Sequence, residues 1–163
     1  MNRPHLLRRR INLLTWFFVL GLFLSGATAI PLAGELNLLT HFLAATGPSS
    51  ELTQWLFPVR DALAATQSAH PFLFYGTDWL AFGHFVTAIA FIGALRDPVR
   101  NRWLFDFGLI ACALVIPYAL IFGGWRGIPV WWRLIDCSFG FFGAIPLWYC
   151  RRWARELLNE VCG

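Results

Sequence analysis

The chain has 163 residues, of which 58% are hydrophobic, 17% aromatic and only 13% charged. A soluble domain has roughly a quarter of its residues charged, so composition excludes an ordinary water-soluble fold and points to an all-α integral membrane protein. The formal charge of +4 does not imply nucleic acid, because the arginines lie beside apolar runs and form no single polar basic face; anionic lipid head groups of the bilayer are the expected partner.

A helix crosses a hydrocarbon core of about 30 Å with about 20 apolar residues. Four stretches reach that length: residues 11–32, 72–95, 104–122 and 130–149. The first follows Arg8, Arg9 and Arg10 and ends near Ala27-Thr28-Ala29, a combination that also resembles a secretory signal with a small-residue cleavage site. Pro31 just beyond that cut and the length of the apolar run favour a retained span, a choice that N-terminal sequencing would check.

Residues 33–71 then form an outer segment. Within it Leu52, Trp55, Leu56, Val59 and Leu63 recur at helical spacing over residues 51–66, with Ser49 or Ser50 as the cap and Glu51 at the positive end of the helix dipole. Residues 36–43 repeat the pattern with Leu36, Leu39 and Leu43. Both read as amphipathic helices lying in the interface plane, the longer one kinked or divided at Pro58. They serve first as a lid on the helices and only second as a substrate gate.

The second and third spans are joined by residues 96–102 (RDPVRNR), a short charged turn built on Asp97-Pro98. The loop at 123–129 joins the third span to the fourth, and residues 150–163 form a tail with Arg151, Arg152 and Arg155. Placing the arginine clusters inside puts ten of the 13 arginines on the cytoplasmic side. The expectation is therefore one membrane domain over residues 1–163, a four-helix bundle with both termini inside, in a bacterial inner membrane. Small residues should let the helices approach closely: Gly83, Thr87, Ala90 and Ala94 in the second span, Gly108, Cys112, Val115, Ala119 and Gly123 in the third, Gly140 and Ala144 in the fourth. Pro117 and Pro146 are expected to kink their helices.

Ionisable groups inside a membrane mark either structural pairs or function. At 1.5 Å of rise per residue, Asp78 and Asp136 each lie about 9 Å below the outer start of their spans. Arg133 is one turn from Asp136 and Arg126 sits in the outer loop, so these four groups form a candidate polar cluster. Ion pairs that lock helices together are the first reading; an outward pocket exchanging protons or binding a cation or polar substrate is the second.

His84 lies six residues beyond Asp78, a rotation of about 600°, so the two do not share a face. A neutral histidine bonded to a neighbouring helix is the plain reading. Haem would need a second axial residue, and neither His41 nor His70 lies in a span. No cofactor is expected, with haem and quinone reserved for the alternative reading below. A metal site from His41, His70, Asp78 and Asp136 has no supporting spacing, and Cys112, Cys137, Cys150 and Cys162 form no ligand motif and read as small buried residues. No Walker, G-x-S-x-G or G-x-G-x-x-G motif occurs, so no catalytic residue is assigned.

On the inner side Arg96, Asp97, Arg100, Asn101 and Asp106 read as an ion-pair collar, with Asn101 capping the third span. Trp125, Trp131 and Trp132 at one end of the last span, and Trp148 and Trp153 at the other, follow the aromatic-belt pattern. The stretches FYGTDWLAFGH (74–84), RDPVRN (96–101) and RGIPVWWRLID (126–136) are distinctive without indicating an activity. The leading expectation is a non-enzymatic protein, free-standing, dimeric or an accessory subunit of a membrane complex. The alternative is a proton- or ion-coupled carrier or a redox subunit using Asp78, Asp136 and His84.

Overall fold

The computed structural model describes residues 3–46 and 50–162. These form six α-helices and one 3-10 turn: α1 (Arg3–Ala29), α2 (Leu32–Thr46), α3 (Glu51–Ala69), the turn Pro71–Phe74, α4 (Tyr75–Arg96), α5 (Arg102–Trp125) and α6 (Val130–Cys162). No strand occurs among the described residues.

Local chemistry sets most boundaries. α1 stops before Pro31, whose ring disfavours helical geometry in the preceding residue, and α2 restarts at once with the Glu35 amide donating to the Pro31 carbonyl (2.9 Å). Ser50 caps α3, its side chain accepting from the Thr53 amide (3.3 Å); Ser49 lies outside the described residues. α3 runs on through Pro58 as one helix, so the proline does not divide it. Its expected inward positions Leu52, Trp55, Leu56, Val59 and Leu63 are all buried or half-buried. In α2 the inward face is Leu36, Thr40 and Leu43, and Leu39 is exposed. Thr40 can be buried because its hydroxyl donates to the Leu36 carbonyl of its own helix (2.9 Å).

The α5–α6 turn is a Schellman motif. The Ile128 amide donates to the Gly123 carbonyl (2.8 Å), the Gly127 amide donates to Gly124 (3.2 Å), and Gly127 takes the left-handed φ of 70° that this closure requires.

Three helical stretches, Arg3–Ala29, Pro71–Arg96 and Arg102–Trp125, are long and apolar enough to cross a membrane. Only 22%, 22% and 17% of their most apolar windows are covered by protein. Large side chains such as Leu13, Phe17, Ile110, Leu114 and Ile121 stay uncovered, an arrangement that lipid stabilises and water would oppose. This fits a multi-pass membrane protein. α6 is not among the three, since Trp131, Trp132, Arg133 and Asp136 dilute its apolar half. It also continues as helix to Cys162, so most of the tail beyond residue 149 is ordered helix.

The chain forms two compact units, one from residues up to Gly21 together with those from Ala88 onward, the other Leu22–Thr87. In the first, α1 runs antiparallel to α6: Arg3 pairs with Glu160 (3.1 Å), the Arg10 guanidinium lies 5.8 Å from the Trp153 ring, and the Cys150 thiol donates to the Ile11 carbonyl (3.6 Å). Ile11, Phe91, Phe105, Leu147 and Cys150 are fully buried. The Phe91 ring meets Phe18 of α1 (4.9 Å) and Phe105 of α5 (6.5 Å).

Within the second unit, α2 packs on α3 around Leu36, Thr40, Thr53 and Leu56. The end of α1 meets the start of α4 at Gly26, where an added Cβ would lie 2.9 Å from His84 Cβ and 3.0 Å from the Ala81 carbonyl oxygen. The buried face of α4 is therefore Ala81, Ala88, Phe91 and Ala94. The expected small-residue stripe is broken: Gly83 faces open space and Ala90 is exposed.

Candidate functional site

α5 and α6 are fastened at both ends. At one end Asp106, in the second turn of α5, pairs with Arg151 of α6. Asp106 therefore takes its partner from α6, where the collar reading expects Arg96 or Arg100. At the other end Arg133 folds over the C-terminal turn of α5, its Nη1 donating to the Leu120 carbonyl (3.2 Å). Gly123 and Gly124 make room for it. A Cβ on Gly123 would lie 2.6 Å from Arg133 Cδ, and one on Gly124 would lie 3.0 Å from Nη1. The C-terminal end of a helix carries partial negative charge, so a guanidinium is well placed beside it.

Between these ends the two helices nearly touch. A Cβ on Gly140 would sit 2.5 Å from the Cys112 carbonyl oxygen, and one on Gly108 would sit 2.7 Å from a Leu147 methyl. The Cys137 thiol donates across to the Ile116 carbonyl (3.8 Å). The third-span stripe expected from Gly108, Cys112, Val115, Ala119 and Gly123 does follow the covered side of α5.

Other residues of the expected polar cluster are placed separately. Asp136 is half-buried on α6, and no ion pair joins it to Arg133 among the described residues. Arg126 is exposed in the turn, its guanidinium 5.8 Å from the Trp125 ring. Asp78 is exposed at the start of α4 beside the rings of Tyr75, Trp79 and Phe82, which meet edge to face around a shallow hollow of about 210 Å³. His84 Nδ1 lies 2.8 Å from the Leu80 carbonyl of its own helix, a local partner instead of a neighbouring helix. His41 and His70 are exposed and contact Phe42 and Phe72. No group of three or more metal-ligating side chains converges among the described residues.

The turn between α4 and α5 is built by its polar side chains. Asp97 Oδ1 accepts from the amides of Val99 (3.2 Å) and Arg100 (3.0 Å). Asn101 starts α5, but its side chain makes no cap to that helix. It turns back and donates to the carbonyls of Gly93 (2.9 Å) and Asp97 (3.0 Å), closing the end of α4. Arg8 of α1 donates to the Arg96 carbonyl (2.9 Å).

This contact frames a feature that sequence reading did not locate, a crevice of about 650 Å³. Its rim carries His5, Arg8, Arg96 and Arg100, and its apolar lining includes Val99 and Leu157. Arg96 and Arg100 make no ion pair among the described residues. The signal was present as the RDPVRNR cluster and the N-terminal arginines, but their meeting depends on α1 lying beside the α4–α5 turn.

No protein-family model matches the sequence, and no curated protein or solved structure matches it either.

Proposed function

We propose that the protein is a non-enzymatic four-helix bundle of a bacterial cytoplasmic membrane, with both termini inside, acting as a structural element or as an accessory subunit of a membrane complex. The fourth crossing is the first half of α6, carried in lipid by its close fit to α5. The arginine distribution supports the orientation, since clusters beside short loops and span ends hold those ends in the cytoplasm.

One observation carries the structural reading. Charged side chains in and beside the spans are used to fasten α5 to α6, through Asp106 with Arg151 and Arg133 with the Leu120 carbonyl. Asp106, Arg151 and Arg133 are thereby committed to holding two helices together, which supports a structural role for the charges at this interface.

Gentle extraction from its native membrane, followed by an absorption spectrum and native mass measurement, tests this. The expected result is a colourless species whose mass is a multiple of 18.5 kDa or that of a defined complex with other subunits. A haem absorption band travelling with the intact chain would overturn it and favour the redox alternative.

A further inference from the structure

We propose that the crevice between the start of α1 and the α4–α5 turn is a binding site for the phosphate-bearing head group of an anionic phospholipid in the cytoplasmic leaflet. The proposal rests on the orientation argued above. If the arginine-rich end is cytoplasmic, the crevice opens at the depth where lipid phosphates lie.

Its chemistry matches such a ligand in two respects. Arg8, Arg96 and Arg100 bring three guanidiniums to one rim with His5 beside them, and guanidinium presents paired donors suited to phosphate oxygens. The one carboxylate there, Asp97, is exposed, with its Oδ1 accepting from the amides of Val99 and Arg100, so three guanidiniums face a single, partly engaged carboxylate. Arg8 gives one nitrogen to the Arg96 carbonyl, which holds the rim together and leaves its other donors available. Beneath the rim, Val99 and Leu157 supply an apolar wall against which a glycerol backbone and the first methylenes can lie. A volume of about 650 Å³ is within the range of small-molecule sites, roughly 300–1,000 Å³. A soluble phosphate would fill only the rim and leave the apolar wall bare. That asymmetry favours the lipid.

The test uses the full-length chain in nanodiscs of a zwitterionic phospholipid containing a minority of phosphatidylglycerol, with lipid retention read by native mass spectrometry. The wild-type protein should retain phosphatidylglycerol in preference to the zwitterionic lipid. At roughly one surface arginine's worth of attraction per side chain, Arg96→Gln with Arg100→Gln should weaken retention about thirtyfold. Val99→Trp, which keeps every charge and fills the crevice, should also weaken retention; it guards against a charge variant that misfolds or inverts. Arg152→Gln with Arg155→Gln removes two arginines outside the crevice and should leave retention unchanged.

Equal retention by wild type and Val99→Trp would overturn the proposal, as would an equal loss in the Arg152/Arg155 control, which would mean diffuse attraction. Displacement by millimolar inorganic phosphate as readily as by short-chain phosphatidylglycerol would identify a free anion instead and refute the lipid. Carbonate resistance and the sidedness of a reporter after Gly163, measured on the same variants, separate failure of this site from failure of the membrane orientation.

Discussion

The two units of this chain are assembled by different means. In the one that joins the beginning of α1 to the end of α4, α5 and α6, the interior is filled by large apolar side chains, among them Ile11, Phe91, Phe105 and Leu147. In Leu22–Thr87 the most deeply buried side chains are Thr40, Thr53, Leu56 and Ala81, and the hydroxyls are satisfied within their own helices or caps. The contrast teaches that the first unit depends on the fit of large side chains between helices, whereas the second buries small polar ones at little cost because their hydroxyls bond locally. Substitutions that alter shape should therefore be most harmful in the first unit, and those that remove a hydroxyl should be mild in the second.

The strongest challenge to this contrast is Gly140→Leu. Its Cβ would collide with the Cys112 carbonyl, a backbone atom that cannot swing aside, so a loss of about 3 kcal/mol or failure to accumulate is expected. Thermal melting in detergent reads it, and wild-type melting would contradict the α5–α6 packing. Next comes a matched pair in the second unit. Gly26→Leu meets His84 and Ala81 and should destabilise by about 2 kcal/mol, whereas Gly83→Leu enters open space and should melt like wild type. Equal effects from the two would show that the α1–α4 contact is misassigned.

Arg133→Gln removes the charge at the end of α5 and should lower stability by about 1 kcal/mol. Asp136→Asn, tested alongside, should have less effect; the reverse ranking would restore the Arg133–Asp136 pair. The smallest change is expected of Thr40→Val, under about 1 kcal/mol, because its hydroxyl bonds to carbonyls of α2 itself. A large loss there would mean that hydroxyl chemistry, and not helix fit, holds α2 in place.

Helix positions were largely readable from the chain because apolar run length, Ser50 and Asp97-Pro98 act over a few residues, but the first span, expected over 11–32, is a helix from Arg3 to Ala29 that stops short of Pro31. Pairings were much less readable. Nothing near Asp106 names Arg151, 45 residues away, and Arg133 has a plausible carboxylate one turn along its own helix yet donates to the Leu120 carbonyl of α5. Periodicity alone could not choose between Leu39 and Thr40, since both fall on helical spacings from Leu36; local satisfaction of the threonine hydroxyl permitted the polar residue inside. Gly83 and Gly26 show the same limit, because a small side chain permits close approach without identifying which helix approaches. Asn101 looked like a cap for the helix it precedes and instead closes the one before it.

Sidedness of single cysteines provides the most direct test of the four-crossing account. With the native cysteines replaced, cysteines at Ser68, Val99 and Asn159 can be exposed to a membrane-impermeant thiol reagent in intact spheroplasts and again after lysis. Labelling at Ser68 in intact spheroplasts, with Val99 and Asn159 reacting only after lysis, is the predicted outcome. If Asn159 reacts from the outside together with Ser68, α6 does not cross and the account is wrong.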